Sequence, residues 1–498
     1  MSSSPSGKMS TGRKKKSQSN KCEELSAEKL LTAFHFPDGE EKSLREERDT
    51  IAAIATALGE GGIGIVRISG TEALRIADCI LDRPVSGAAG YTVHYRHVKE
   101  QSLILDEVLV TVFRAPHSFT AEDSVEINCH GGLYLLQAVL SAVLSAGARM
   151  AEPGEFSKRA FLNGRMDLSQ AEAVMDLIQA KNSHALRAAV NQLDGRLSEK
   201  IHVLRTGILD ELAWIEAALD DPENYDLTGY PHKLEERIHG FIQSLEELLR
   251  TADNGKLWRA GIPTVILGLP NAGKSSLMNL LTQEESAIVT EIAGTTRDIL
   301  TEQVRLGELT LVLSDTAGIR ESEDRIEQIG VARAKQAATA AALILLVLDA
   351  SKPLCEEERA LLSYATAQHT IVLLNKADVS QQISKEEIQN CSAATVLSFS
   401  ARRGDGLEEL ERAVTALFFG GEFDNQSEEL AINARHKEAL TEAKESLRNV
   451  EASIAAGMPE DFFSIDLAAA YRALGTVTGD SVEDDVVNRI FEKFCTGK

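Results

Sequence analysis

The chain has 498 residues, and at about 150 residues per domain this length predicts about three domains. Hydrophobic residues make up 43% and charged residues 26%, close to the averages of globular proteins, which argues against global disorder and fibrous repeats. The net charge is −24, from 76 acidic and 52 basic residues, and such a surface argues against non-specific coating of nucleic acid.

The longest purely apolar stretch, 340–348, is far shorter than the roughly 20 residues that a membrane-spanning helix needs. It predicts a buried strand instead, so we expect a soluble protein that does not enter a membrane. The six cysteines are scattered, with no CxxC pair. This argues against a disulfide framework and a zinc site, and it favours a reducing compartment.

The first 48 residues differ in composition from the rest. Met1–Lys21 is rich in Ser and Lys, has four consecutive basic residues at 13–16 and contains no acidic residue. This segment lacks the apolar core of a secretory signal, and it predicts a disordered tail or a non-native extension, with a mitochondrial presequence as the alternative. We expect folded sequence to begin near Asp49.

Short apolar segments, among them 103–113 and 124–129, predict the strands of a compact α+β domain over residues 49–165. Further along, apolar residues spaced three or four apart form a stripe on one helix face. Its members are Leu197, Ile201, Leu204, Ile208, Leu212, Ile215 and Leu219. A similar stripe near the C-terminus contains Leu440, Ala443, Leu447, Val450 and Ile454. The last predicted helix carries Val482, Val486, Val487, Ile490 and Phe491 on one face.

Between the two helical stripes, over residues 258–420, β-type runs alternate with helices. The simplest architecture is a helical domain in two parts, 166–257 and 421–498, with an α/β domain inserted between them. Two separate helical bundles are the alternative.

A phosphate-binding motif follows a predicted buried strand at 264–267. Residues 268–275 read Gly-Leu-Pro-Asn-Ala-Gly-Lys-Ser, which is the pattern GxxxxGK[ST], and an apolar helix follows. The glycines let backbone N–H groups turn inward around a phosphate. We expect Lys274 to neutralise the β- and γ-phosphates and the Ser275 hydroxyl to ligate Mg²⁺. The predicted GTP contacts here are Asn271, Ala272, Gly273, Lys274, Ser275 and Ser276.

Two motifs follow predicted strands in the order that is typical of a GTPase. Asp315, Thr316, Ala317 and Gly318 come after the strand 309–313. The Asp can hold Mg²⁺ through water, and the Gly lets a backbone N–H approach the γ-phosphate. Ser400, Ala401 and Arg402 follow the strand 396–399 and can support the base through their main-chain N–H groups.

Base recognition is predicted for Asn375, Lys376 and Asp378, which follow the strand 370–374. The Asp378 carboxylate can accept hydrogen bonds from guanine N1–H and the 2-amino group. Adenine offers neither donor, so this carboxylate favours guanine. The four motifs, in this order along the chain, predict a GTPase.

A switch segment lies between the phosphate-binding motif and Asp315. A Thr hydroxyl there, which we assign to Thr296, can complete the Mg²⁺ shell when GTP is bound and release it after hydrolysis. The predicted GTP contacts in this segment are Thr290, Glu291, Ile292, Ala293, Gly294, Thr295 and Thr296. Ile319 stands where Ras-like proteins carry a water-orienting Gln, so either the switch is intrinsically inactive or another group orients the water. The acidic residues between 321 and 327 contain candidates for that group.

Five stretches outside the GTPase motifs narrow the interpretation from a GTPase in general to one family of GTPases. They are 61–70, His130-Gly131-Gly132, 153–164, 167–173 and the terminal Phe494-Cys495-Thr496-Gly497-Lys498. Together with the GTPase motifs, they resemble the tRNA modification GTPase MnmE (TrmE) family over residues 49–498, in the order of that family. The resemblance implies an α+β N-terminal folate-binding-like domain and a helical domain with an inserted α/β Ras-like P-loop GTPase domain.

The resemblance implies that the N-terminal domain holds a constitutive homodimer and binds a one-carbon donor, 5,10-methylene- or 5-formyl-tetrahydrofolate. The folate contacts of the family map to Arg67, Glu126, Arg165 and Lys498. A carboxylate suits the donor edge of the pterin, and cations suit the glutamate tail. This chain departs from the family at Arg165, where Lys is frequent, and at Thr496, where Ile is usual.

The resemblance also implies an activity. Members hydrolyse GTP and act with an MnmG-type partner that uses FAD and NADH, in a heterotetramer. Together they install a (carboxymethyl)aminomethyl-type group on C5 of the wobble uridine, position 34, of certain tRNAs. Their G domains dimerise across K⁺, whose ligands map to Asn271, Thr290, Ile292 and Thr295, and the acid that orients the attacking water maps to Glu327. We expect bacterial cytoplasm as the compartment, in preference to the mitochondrion.

The role of Cys495 has two interpretations. A thiol near Lys493 and Lys498 can act as a nucleophile, and a small soft side chain can equally serve to position a substrate.

Two other classes of function compete with the enzyme. A ribosome-assembly GTPase of the Era or Der type predicts a basic KH-like appendage after the G domain, which the acidic stretch 421–430 does not resemble. A signalling switch without chemistry of its own leaves the folate-like front and the cysteine tail unexplained.

Overall fold

The computed structural model describes residues 49–101, 103–180, 182–221, 223–225, 228–283, 302–313, 341–363, 370–419, 430–482, 484–495 and 497. The predicted extension 1–48 therefore lies outside the described residues. The chain forms two compact units. The first contains the described residues up to Ala171 with Ser198–Leu245 and the residues from Ala439 onward, and the second contains Glu172–Leu197 and Glu246–Glu438.

The described strands are β1 (Ile51–Ile54), β2 (Gly61–Ser69), β3 (Thr92–Glu100), β4 (Leu103–Phe113), β5 (Ser124–Gly131), β6 (Arg149–Met150), β7 (Ile262–Leu267), β8 (Glu302–Leu306), β9 (Leu309–Leu313), β10 (Leu343–Asp349), β11 (Thr370–Asn375) and β12 (Thr395–Ser398). The described helices are α1 (Ala73–Ile80), α2 (Leu133–Ser145), α3 (Glu155–Leu162), α4 (Leu168–Gln179), α5 (Ser183–Leu193), α6 (Arg196–Asp220), α7 (Tyr230–Ala260), α8 (Lys274–Gln283), α9 (Glu356–Leu362), α10 (Lys385–Gln389), α11 (Leu407–Phe419), α12 (Ala434–Ala455), α13 (Asp461–Thr478) and α14 (Asp484–Phe491). None of these helices is both long and apolar enough to cross a membrane.

The first unit contains a six-stranded sheet in the order β3-β4-β5-β2-β1-β6, antiparallel except between β1 and β6. Successive side chains of β4 point to opposite faces of the sheet, since Val108, Val110 and Val112 are buried whereas Leu109 is exposed. The buried face packs with α1 and α2 in one core. The predicted strands at 103–113 and 124–129 and the mixed α+β character of this part are confirmed.

The second sheet has the order β12-β11-β10-β7-β9-β8, parallel except between β8 and β9. Every residue of β10 is buried, which confirms the buried strand predicted from the apolar stretch 340–348. Leu345 and Leu373 belong to the core on one face of the sheet, and Leu346 and Leu374 belong to the core on the other. Burial on both faces explains why this strand reads as a continuous apolar run.

The first predicted helix stripe lies on α6, where every member except Leu219 is buried. Leu219 is 46% exposed, and Ala218 takes the buried position at 3%. Steps of three and four from Ile215 turn the side chain by about 60° to one side and about 40° to the other, and near the end of α6 the buried side is that of Ala218. The prediction is wrong for this residue.

The C-terminal stripe lies on α12, and Leu440, Ala443, Leu447 and Val450 are buried.

Candidate functional site

The phosphate-binding motif forms a tight turn between β7 and α8, which we call the nucleotide loop (residues 268–275). Gly268, Asn271 and Gly273 have φ values of 149°, 64° and 104°, a region that favours glycine. A Cβ atom on Gly268 would lie 2.3 Å from the carbonyl oxygen of Val347. The loop can therefore form only because glycine stands at this position.

Lys274 begins α8 and folds back over the nucleotide loop. Its Nζ donates hydrogen bonds to the carbonyl oxygens of Gly268 and Leu269, each at 2.8 Å. Burial lowers the pKa of Lys274. An ammonium group carries three hydrogen-bond donors. The Lys274 cation and the N-terminus of α8 meet at the position where the motif predicts phosphate.

Asn375, at the end of β11, joins two of the predicted nucleotide-binding segments. Its Nδ2 donates to the carbonyl oxygen of Ala272 at 2.8 Å, and its Oδ1 accepts from the backbone N–H of Ala401 at 2.9 Å. A Cβ on Gly273 would lie 2.0 Å from Asn375 Nδ2. The buried amide thus fixes the nucleotide loop against the segment that follows β12.

The residues 375–378, which we call the base loop, carry the predicted guanine contact. Ser400 Oγ donates to Asp378 Oδ1 at 2.8 Å, and this hydrogen bond lowers the pKa of the Asp378 carboxyl. The backbone N–H of Ala377 donates to the carbonyl oxygen of Phe399 at 3.0 Å. The arrangement holds an ionised carboxylate beside Ser400 and Ala401, whereas Arg402 is exposed next to them.

Sequence reasoning missed Asp349, which ends β10 directly opposite Asn375 in the parallel register. Its Oδ2 lies 2.6 Å from Lys376 Nζ, and its Oδ1 accepts from Ser351 Oγ at 2.6 Å and Ser351 N at 3.1 Å. The available signal was a polar residue at the carboxyl end of a wholly apolar parallel strand, because such strand ends meet at one edge of a sheet.

Several predicted residues lie outside the described residues. These are the switch contacts Thr290–Thr296, the motif Asp315–Gly318 and the acid Glu327. Of the predicted ligands, Asn271 for K⁺ and Ser275 for Mg²⁺ are described, and both are exposed.

A second group of predicted residues lies on the sheet of the first unit. Arg67 of β2 stands opposite Glu126 of β5, and Nε and Nη2 of Arg67 lie 2.9 and 2.8 Å from Glu126 Oε1. The Arg67 guanidinium also lies 5.4 and 5.6 Å from the ring centres of Phe119 and Phe156. The Arg165 guanidinium lies 5.3 Å from the same Phe119 ring.

The C-terminal tail comes to this ion pair. Arg67 Nη1 donates to the carbonyl oxygen of Gly497 at 3.3 Å, and the backbone N–H of Gly154 donates to that of Cys495 at 3.4 Å. A Cβ on Gly497 would lie 2.4 Å from the carbonyl oxygen of Ile54. We call Arg67, Glu126 and Arg165, with Cys495 and Gly497, the tail site. Thr496 and Lys498 lie outside the described residues, and Cys495 is an exposed thiol.

The tail is held by α14 and by the start of α3. Gly154 has φ 71° and precedes α3, and a Cβ there would lie 2.4 Å from the carbonyl oxygen of Phe491. Val487, Phe491 and Phe494 are buried, whereas Val486 is 41% exposed. The prediction that Val486 shares the apolar face is wrong, because neighbouring helix residues point about 100° apart.

A glycine-rich loop between a parallel strand and a helix, with polar residues at the neighbouring strand ends, defines a P-loop nucleotide-binding protein. Comparison with known families makes this class specific. Residues 50–165 match the model for the N-terminus of the GTP-binding protein TrmE, and residues 168–495 match the model for the MnmE helical domain.

Curated relatives that share one name match this chain over nearly their whole length. The tRNA modification GTPase MnmE of Lachnoclostridium phytofermentans is 50% identical over 90% of this chain and 99% of its own. The proteins of the same name from Listeria innocua and Lactococcus lactis are 48% and 46% identical over 91% and 92% of this chain and 100% of their own. The chain therefore belongs to the tRNA modification GTPase MnmE family.

Proposed function

We propose that this chain hydrolyses GTP and that the hydrolysis serves tRNA modification, the activity in the name of its relatives. The observation that carries the proposal is the joined nucleotide site. Asn375 bridges the nucleotide loop and the segment after β12, and Asp378 stands beside Ser400 as an ionised acceptor. Such an acceptor suits the N1–H and 2-amino donors of guanine.

The metal contacts extend the proposal. Ser275 lies on the first turn of α8, next to Lys274 at the proposed phosphate position, and its exposed hydroxyl fits a ligand of a phosphate-bound Mg²⁺. The side-chain oxygen of Asn271, on the exposed crest of the same loop, fits a K⁺ contact between two G domains. We retain Thr296 for Mg²⁺ and Thr290, Ile292 and Thr295 for K⁺ from the family resemblance.

The tail site supports a folate role. A carboxylate, two guanidinium groups and the Phe119 ring gather within one surface, and the backbone of the tail reaches it at Gly497. These groups fit a pterin with donor groups on one edge and a carboxylate tail. A tetrahydrofolate bound there would supply a one-carbon unit. Glu126 would orient the ring and Arg165 would hold the negative end, and Lys498 is retained from the family resemblance.

A homodimer is supported by the outer face of the first sheet. Val93, Tyr95 and Leu109 lie together there, since Tyr95 and Leu109 are partners in the β3–β4 ladder, and each is at least half exposed. A contiguous exposed apolar face of this kind marks an interaction surface.

The finer reaction follows from the resemblance. We propose that the homodimer joins an MnmG-type partner, which uses FAD and NADH, and modifies C5 of the wobble uridine in certain tRNAs. We place this work in the cytoplasm, since the described cysteines form no disulfide. The predicted division into a domain at 49–165, a helical domain in two parts and a G domain at 258–420 remains part of the proposal.

Mass spectrometry of tRNA nucleosides tests the proposal. Cells that lack the protein should lose C5-modified wobble uridines, and a plasmid copy should restore them. Unchanged nucleosides would refute the tRNA role. GTP hydrolysis measured on the purified protein in K⁺ and in Na⁺ tests the enzyme separately, and equal rates in the two salts would refute the K⁺ contact.

A further inference from the structure

Asp349 is a buried carboxylate beside the base loop, and none of the GTPase motifs includes it. Its side chain is 8% exposed. It accepts two hydrogen bonds from Ser351 on one oxygen and contacts Lys376 Nζ at 2.6 Å with the other. A buried carboxylate is retained only when such partners replace water, so Asp349 and Lys376 depend on each other.

Lys376 has a backbone conformation that is unfavourable for residues other than glycine. Its φ is 66°, in the left-handed region, where a residue other than glycine costs roughly 1 kcal/mol or more. The surrounding contacts must therefore hold this conformation. The ion pair with Asp349 is the contact that the Lys376 side chain supplies.

Lys376 lies within the base loop, between two residues that are fixed by other means. Asn375 is held by the nucleotide loop and by Ala401, and Asp378 is held by Ser400. The backbone N–H of Val379 donates to the carbonyl oxygen of Lys376 at 3.0 Å, which closes the turn that carries Asp378. A change in the Lys376 backbone would move the carboxylate of Asp378 by way of this turn.

We propose that Asp349 is a positioning residue for the nucleotide: through Lys376 it fixes the base loop and thereby the fidelity of guanine recognition. The proposal rests on the proposed GTPase function. It assigns to β10 a part in base discrimination that the motifs assign to β11 and β12 alone.

The test compares the purified full-length wild type with Asp349→Asn, which keeps the shape of the side chain and removes its charge. Affinities for GTP and for inosine triphosphate, which lacks the 2-amino group, are measured by displacement of a fluorescent GDP. We expect Asp349→Asn to weaken GTP binding by about tenfold, the scale of one charged hydrogen bond, and to lower the ratio of GTP to inosine triphosphate affinity.

Two further variants separate positioning from a general loss of structure. Lys376→Met should reproduce both effects, and the double variant should be no worse than either single variant, because both changes break one pair. Glu387→Gln removes an exposed partner of Arg359 in the same unit and should leave both affinities unchanged. If Asp349→Asn fails to fold, Lys376→Met still tests the proposal, because an unchanged ratio of GTP to inosine triphosphate affinity in that variant would overturn it.

An unchanged nucleotide ratio in a folded Asp349→Asn or Lys376→Met variant would overturn the proposal. Additive losses in the double variant would also overturn it, since the two residues would then act separately. A wild type that does not prefer GTP would instead refute the proposed GTPase function, so the two failures are distinguishable.

Discussion

The residues of the nucleotide loop are adjacent in the sequence, whereas the residues of the tail site lie far apart in it. The nucleotide loop is a run of eight residues that begins directly after one strand and ends in the first turn of the next helix. In the tail site, Arg67 contacts a carbonyl oxygen 430 residues later in the chain. A local motif carries its own conformation, whereas a long-range site exists only after the first sheet and the last helix have met.

This difference predicts that the two sites fail in different ways. Damage at the nucleotide site should stop GTP chemistry without unfolding the chain. Damage at the tail site should cost stability and tRNA modification while GTP hydrolysis persists.

The largest effect is expected for Glu327→Ala. If Glu327 orients the attacking water, hydrolysis should fall by roughly 10²- to 10⁴-fold while GTP affinity stays nearly intact. Single-turnover hydrolysis and displacement of a fluorescent nucleotide measure the two quantities. Glu323→Ala, a neighbouring acid, is the control and should hydrolyse GTP normally. A large loss of GTP binding in Glu327→Ala would make this residue structural.

Asp378→Asn should weaken GTP binding by roughly 5- to 100-fold and relax the choice of base, because an amide offers a donor where guanine needs an acceptor. Titration with GTP and ATP measures both. Asp405→Asn, an exposed side chain paired with Arg403 in the next loop, is the matched control and should bind as the wild type does. An unaltered guanine preference in Asp378→Asn would refute the assigned role.

A pH effect extends the comparison, because a second long-range cluster lies within the unit that carries the nucleotide loop. Glu172 contacts His436 Nε2 at 2.8 Å and Arg435 Nη2 at 2.9 Å. Burial opposes ionisation of Glu172, yet its hydrogen bonds and charge contacts with these two residues hold its pKa at about 2, below the ordinary 4.5. A lowered carboxyl pKa stabilises the fold above pH 4.5, and this contribution is lost as the pH falls toward 2.

We therefore expect about 3 kcal/mol of unfolding free energy to depend on Glu172 at neutral pH, and most of it to be lost by pH 3. Urea unfolding from pH 6 to pH 3 measures this slope. In Glu172→Gln the slope should be shallower, whatever the stability of the variant at neutral pH. Parallel slopes for both proteins would contradict the assignment.

The smallest effect is expected at Gly154, where the tail docks. Gly154→Ala places a Cβ against the carbonyl oxygen of Phe491 and should destabilise the chain by about 1–3 kcal/mol and reduce tRNA modification. Gly164→Ala is a matched control, because Gly164 has nearly the same φ, 70°, but its Cβ would meet no atom within 4 Å.

Thermal unfolding and tRNA nucleoside analysis compare the Gly154→Ala and Gly164→Ala variants, with GTP hydrolysis as the reference. Equal effects of the two substitutions would show that backbone strain, and not tail contact, decides the loss. A loss of GTP hydrolysis in Gly154→Ala would break the separation between the two sites.

Much of the fold could be predicted because local patterns of apolar residues specify its strands and helices. The strands at 103–113 and 309–313 and the helix stripe from Leu197 follow from burial that repeats with the period of the element. Errors arose at single residues such as Leu219 and Val486. At both positions the apolar side chain continues the pattern, but the neighbouring residue, Ala218 or Val487, takes the buried position.

By itself, the sequence determined the nucleotide loop, because adjacent residues fix a turn through their own φ preferences and through the helix that follows. It also predicted which side chains are suited to guanine and Mg²⁺, whereas those for folate were implied by the family resemblance. Only the tertiary structure decided that Asp349 reaches Lys376 and that the tail closes on Arg67. Such contacts join residues of distant strands and helices, and no local periodicity records which strand ends or chain termini become neighbours after folding.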